Sequence, residues 1–157
     1  MSLVQPKLEY GTAAWFPYTK QETHTLDKIQ RSAARLCQND YSRESSVTTM
    51  LSKLNWAGLD TRREITRLTM LFKITHNLVD IEWQNHLTKP QRRLKRTHDF
   101  SHQRPQTKTK QFEYSFFQWT IKIWNDLPHH LLNQTKLTSF KTELAKHLNE
   151  ITTHNTN

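Results

Sequence analysis

An all-α fold, a small irregular bundle of about four to six helices interrupted by a long basic loop, is the architecture this sequence predicts. Three observations point to it. Apolar residues recur at spacings of three and four over several stretches, which places them on single faces of helices. Gly11 and Gly58 are the only glycines, so tight β-turns and glycine-rich phosphate loops are almost excluded by composition. One stretch in the second half loses all apolar periodicity and gains charge.

From Thr19 to Cys37, the residues Leu26, Ile29, Ala33 and Leu36 form one stripe, and Gln30, Arg31 and Arg35 fall off it. Asn39 to Ser46 is rich in side chains that compete for backbone hydrogen bonds and reads as a loop. A short helix from Val47 to about Leu54 follows. From Leu59 to about Val79, Leu68, Leu71, Ile74, Leu78 and Ile81 form a second stripe, widened by Ile65, Phe72 and Val79. The basic start of that helix, Arg62, Arg63 and Arg67, is expected to face water. The rows Phe117, Ile121, Trp124 and Phe116, Thr120, Ile123, Leu127 predict a helix from Tyr114 to Leu127, stopped by Pro128 and central to the core. Leu137, Phe140, Leu144, Leu148 and Ile151 predict a terminal amphipathic helix capped by Thr138 or Ser139. The opening stretch, Leu3 to Tyr18, fits a short helix or an irregular aromatic segment.

The domain division follows from the charge. Lys89, Arg92, Arg93, Lys95, Arg96, Arg104, Lys108 and Lys110 stand against Asp99 alone, so this stretch carries +7 of the net +9. Residues 1–88 are expected to be one helical part, 89–111 a basic flexible loop, 112–150 a second helical part and 151–157 a frayed tail. A strongly basic chain makes a polyanion its natural partner, because each cation docked on a phosphate releases counterions. Arg92, Arg93, Lys95 and Arg96 are the first candidates for such contacts, with Arg62, Arg63 and Arg67 next. A solvated loop that merely keeps the protein soluble is the other reading of the same run.

Catalysis finds little support. The single Cys37 cannot form an internal disulfide, and it lies where a structural thiol is usual. Together with the absence of a leader-like start or a long apolar run, it suggests an intracellular protein of nucleus or cytoplasm without membrane attachment. Asp27, Asp40, Asp60 and Glu64 are the only acids in contexts resembling a cluster, and Asp60 and Glu64 read as helix charge partners of Arg63 and Arg67. Ser45 and Ser46 lack a glycine-framed elbow. His98 and His102 have one-turn spacing but sit in the basic loop with no third ligand, so no metal is expected. His129 and His130 read as surface residues of a helix connection. Phe116, Phe117, Trp119 and Trp124 read as core rather than as a platform for bases, Trp119 having the weakest claim to burial.

Six ordered strings carry a resemblance: LVQPKLEYGTAAWFPYT at Leu3–Thr19, LDKIQRSAARL at Leu26–Leu36, NDYSRESSVTTML at Asn39–Leu51, LNWAGLDTRREITRLTMLFKITHNLVDI at Leu54–Ile81, YSFFQWTIKIWNDLP at Tyr114–Pro128 and SFKTELAKHL at Ser139–Leu148. They resemble the C-terminal region of jockey-like, LINE-type non-LTR retrotransposon reverse transcriptases, over nearly the whole chain and in the family's order. That resemblance implies a post-palm, thumb-adjacent piece of an RNA-directed DNA polymerase and endonuclease. Its partners would be template RNA or target DNA, met through the backbone, and the polymerase domain missing from this chain. The family's Tyr-x-Asp-Asp metal-binding acids do not occur here, so no catalytic residue carries over, no cofactor is expected, and Mg²⁺ would belong to the missing palm. Relatives tend to read Ser-Phe-Phe-Pro-Arg-Thr-Ile where this chain has Gln118 and Trp119, which removes a basic residue there. Two alternatives stand beside this expectation: an interaction module that packs on the missing polymerase, and a non-functional remnant of a 5′-truncated element.

Overall fold

In the computed structural model, residues 11–12, 17–80, 82, 87–90 and 98–154 are described. Among them every regular element is a helix: α1 (Lys20–Gln38), α2 (Val47–Lys53), α3 (Leu59–Thr75), α4 (Lys110–Glu113), α5 (Phe116–Asp126), α6 (His129–Leu132) and α7 (Leu137–His154). The all-α expectation holds, with two single-turn helices, α4 and α6, added to the predicted set. None of these helices is long and apolar enough to cross a membrane. Most of the Leu3–Tyr18 stretch, Ile81 and residues 155–157 lie outside the described residues.

Local chemistry explains where the helices begin. Thr19 caps α1 reciprocally: its hydroxyl accepts from Glu22 N at 3.2 Å, and the Glu22 carboxylate accepts from Thr19 N at 3.3 Å. Ser46 caps α2 through Thr49 N. At α7 the cap is not Thr138 or Ser139. Phe140 N donates to Lys136 O at 3.0 Å, so the helix has already begun at Leu137, and it continues through His154, into the predicted tail.

The ends of three helices share one device. Asn39, Asn55 and Asn77 all adopt left-handed φ, at 50°, 53° and 53°. Each follows a helix and starts a paired closure: Asn39 N to Leu36 O with Asp40 N to Arg35 O, Asn55 N to Ser52 O with Trp56 N to Leu51 O, and Asn77 N to Ile74 O with Leu78 N to Lys73 O. These are Schellman closures, with asparagine in the position glycine usually holds. In a chain with two glycines, asparagine is the residue that tolerates this backbone with least strain. At each position the stability order Gly > Asn > Ala is expected. Asn77→Ala should cost about 1 kcal/mol and Asn77→Gly should gain about 0.5 kcal/mol. Thermal melts read this directly, and equal midpoints for the two variants would contradict the closure.

The Asn77 closure also explains why α3 stops at Thr75 and not near Val79. Leu78, placed on the predicted stripe, has left the helix and is exposed. On α1 the buried face is rotated from the predicted one. Gln30 and Ala34 are buried, whereas Ile29 is 43% and Leu36 68% exposed. The small Ala34 permits close packing, and Gln30 Nε2 donates to Ala57 O at 3.1 Å, so Gln30 faces the connection between α2 and α3. Cys37 is exposed, not on the packed face.

The core joins Leu68, Leu71, Phe72 and Ile74 of α3 to Ile121 and Trp124 of α5, Leu131 and Leu132 of α6, and Phe140, Leu144 and Leu148 of α7. Phe72 and Phe140 stack at 4.4 Å, and Trp124 lies 5.9 Å from Phe140. The hub is α3, not α5 as expected, because α3 packs against α1, α5 and α7. It is also longer than α5, 17 residues against 11, and buries more side chains. Both predicted helical parts therefore share one core across the basic stretch. Ile151, at the end of the α7 stripe, is exposed.

Candidate nucleic-acid interface

The basic stretch between α3 and α4 is where a polyanion was expected to dock. Arg92, Arg93, Lys95 and Arg96 themselves lie outside the described residues. The chain on both sides of them is fastened. Leu87 and Ser101 are buried, and Gln103 N donates to Thr88 O at 2.7 Å, closing the base of the loop. From His98 to Arg104 the chain has no regular helix or strand, as expected, but it is strapped to α5. Trp124 Nε1 donates to Phe100 O at 2.9 Å. The Asn125 amide grips His102 at both ends: Oδ1 accepts from His102 N at 3.0 Å, and Nδ2 donates to His102 O at 2.8 Å. Arg104 pairs with Glu113 of α4 at 3.2 Å. The Trp124 indole and the Asn125 amide thus satisfy three backbone groups of this segment, Phe100 O and both His102 N and O.

The imidazoles under the strap are held neutral. Burial brings the His102 pKa down to about 4, and neighbouring His98 and Lys89 push the same way. His98 is lowered as well, chiefly by burial and partly offset by the backbone of Asn125 and Trp124, and both its ring nitrogens are buried. The two rings do not share a helical face, because His98–His102 is a turn and strap. Among the described residues no group of three His, Cys, Asp or Glu side chains is placed to hold a metal ion. His129 and His130 are exposed on the single turn α6, between helices.

Of the second candidate set, Arg62 is partly exposed, but Arg63 and Arg67 are each only 1% exposed. The expectation that they face water is overturned. Arg63, Arg67, Leu71 and Ile74 continue one helical stripe, and spacing from Leu71 was the signal that places them inward. Arg63 reaches Asp60 at 3.3 Å. Arg67 crosses to the other half of the core: Nε donates to Thr120 Oγ1 at 3.3 Å, Nη2 approaches Tyr114 O at 3.5 Å, and the guanidinium lies 5.5 Å from the centre of the Phe116 ring. Burial lowers its pKa to about 10, so it remains a cation at neutral pH. Arg67 ties α3 to the Tyr114–Thr120 segment, Arg63 pairs within α3, and both are withdrawn from the outer surface.

The carboxylates are partly assembled by the fold. Asp60 lies close enough to raise the pKa of both Asp27 and Glu64, although burial is the larger cause in each. Asp40 stands apart, lowered by its bond to Ser45. Trp119 is half-buried, 4.9 Å from the Tyr114 ring and with Lys122 Nζ 4.8 Å from its own centre. Tyr114 in turn stacks on Tyr18 at 5.4 Å. Trp124, Ile121 and Thr120 are buried, as core residues should be.

No protein-family model, curated protein or solved structure significantly matches the chain.

Proposed function

We propose that this chain is a non-catalytic nucleic-acid-binding piece, the C-terminal accessory region of a jockey-like non-LTR retrotransposon reverse transcriptase. In this reading it holds template RNA or target DNA by the phosphates through Arg92, Arg93, Lys95 and Arg96, with Arg62 in support. The observation that carries the binding role is the closed base of the basic loop. The Thr88–Gln103 bond and the Trp124 and Asn125 anchors fix both ends of the most highly charged stretch of a +9 chain. Anchored ends lower the ordering cost when a loop meets its ligand. The family assignment is supported by the six ordered strings of sequence. Polymerase chemistry, with its Mg²⁺, would belong to a palm domain that is not in this sequence.

The test is a four-residue variant, R92Q/R93Q/K95Q/R96Q, titrated with single-stranded RNA and duplex DNA. Losing four phosphate contacts should flatten the slope of log K against log salt by about 2.8 on a single strand and about 3.6 on a duplex. An unchanged slope would overturn the assignment to this loop.

A second reading is favoured by one observation, the exposed apolar side chains Ile29, Leu36 and Tyr41 on and just after α1. They suit a module that packs against a polymerase body. In that case nucleic-acid affinity would be incidental and weak in salt dependence, so the same titration separates the two.

A further inference from the structure

Beside α3, on the side shared with α7, lies an open cavity of about 280 Å³ lined by Ile65, Thr66, Thr69, Met70, Lys73 and Lys141. Its chemistry is two-sided. Lys73 and Lys141 bring two ammonium groups, and no carboxylate lines the cavity among the described residues. Neither lysine is held in an ion pair or hydrogen bond among the described residues. Ile65 and Met70, both packed on the core from its edge, supply an apolar wall.

Thr69 adds a second, independent feature. Thr66 and Thr75, on the same helix, close their hydroxyls onto backbone carbonyls, Arg62 O at 2.9 Å and Phe72 O at 3.0 Å. Thr69 is 94% buried, yet its Oγ1 has no hydrogen-bond partner among the described residues. A helical threonine has two accessible rotamers, and bonding to its own helix is the usual way to satisfy the hydroxyl. A buried hydroxyl left open is a cost of about 1–3 kcal/mol unless something completes it. Here it lies among the lining residues of a cationic cavity.

We propose that this cavity seats one nucleotide unit, its phosphate between Lys73 and Lys141 and within reach of Thr69 Oγ1, its ring against Ile65 and Met70. The ligand class follows from the site: a nucleotide's phosphate is anionic and accepts hydrogen bonds, and its base is a flat, partly apolar ring. The proposal rests on the nucleic-acid reading above and adds to it a second contact, on a different part of the fold from the basic loop. A strand held at both places is gripped by two separate groups of cations, and those in the cavity contribute their own share of the salt dependence.

The test uses the full chain with ¹³C-methyl methionine. Met70 reports on the cavity, and Met50, buried against the α1–α2 side, serves as the control and as a check of folding. Adenosine monophosphate should shift the Met70 methyl and leave Met50 in place. Inorganic phosphate should bind about tenfold more weakly, because it leaves the apolar wall unused. K73Q/K141Q should weaken the nucleotide by about tenfold or more, and should flatten the salt slope for a single-stranded oligonucleotide by about 1.4. A silent Met70, a shift that survives K73Q/K141Q, or equal affinity for phosphate and nucleotide would overturn the proposal. The variant R92Q/R93Q/K95Q/R96Q keeps the two readings apart: it should bind adenosine monophosphate normally at Met70 while losing oligonucleotide affinity. Full oligonucleotide affinity in that variant would remove the loop reading and leave the cavity standing.

Discussion

Trp124→Ala is expected to leave the chain without cooperative tertiary structure at room temperature. Trp124 is buried in the last turn of α5, close to Phe140, and truncating such a side chain costs about 3–5 kcal/mol. The indole also donates to Phe100 O, and losing that bond leaves a carbonyl of the strap unsatisfied for about 1 kcal/mol more. Against a total stability of about 5–15 kcal/mol for a domain, and a small core here, little margin remains. Trp124→Phe separates the two contributions. It keeps most of the packing and loses only the donor, so it should melt cooperatively at a lower temperature, with faster proteolysis confined to residues 98–109. A cooperative melt for Trp124→Ala close to that of the parent chain would show that the core is not centred where the structure places it.

Acid should loosen the protein in a defined window. The His102 side chain titrates near 6.5 when unfolded and at about 4 in the fold, where burial, His98 and Lys89 oppose its charge. Between those values the unfolded chain binds a proton that the folded chain refuses, so stability falls as pH drops from about 6.5 towards about 4. Above that window the group contributes no pH dependence. His98, also lowered and facing His129 and Asp99, acts in the same direction. Asp27 and Glu64 have raised pKa values and act in the opposite direction, taking up protons more readily in the fold. For His102 alone the loss is about 2 kcal/mol once its partial contact with water is allowed for. Denaturant melts at pH 7.5 and pH 5 measure it. His102→Gln keeps the backbone grip of Asn125 and should flatten the dependence, whereas an unchanged pH profile in that variant would remove His102 as its source.

Those two expectations draw on features of different legibility. The aromatic helix was readable because Ile121 and Trp124 repeat at helical spacing and Pro128 cannot continue the helix. Helix α2 was readable from Ser46 and the residues after it, with an end within one residue of the expected one. The strap was not readable, since Asn125 and His102 are joined across 23 positions and nothing in local periodicity links them. Arg63 and Arg67 were misplaced because a charged residue in an apolar stripe reads as solvent-facing, although their spacing from Leu71 pointed inward. On α1 the larger apolar residues suggested one face, and the smaller Ala34 with Gln30 packs instead. The helix ends were missed for a related reason. Asparagine marks loops in general, and its left-handed closures at Asn39, Asn55 and Asn77 emerge only from backbone geometry.

The candidate site was legible as charge, not as geometry. Counting cations along the chain singles out Lys89 to Lys110 without reference to any fold. It does not reveal that the base of the loop is closed by Thr88 and Gln103. Nor does it separate Lys73 and Lys141 from the other lysines, because they meet only where α3 and α7 pack.

The central claim, that the chain grips nucleic acid through phosphate contacts, is tested most directly by measuring the affinity of the unmodified chain for a single-stranded RNA between about 50 and 200 mM salt. Four loop cations on phosphates predict a log–log slope of about −3 or steeper, an affinity loss of about sixtyfold across that range. A slope near zero, or no measurable binding at the lowest salt, would contradict it.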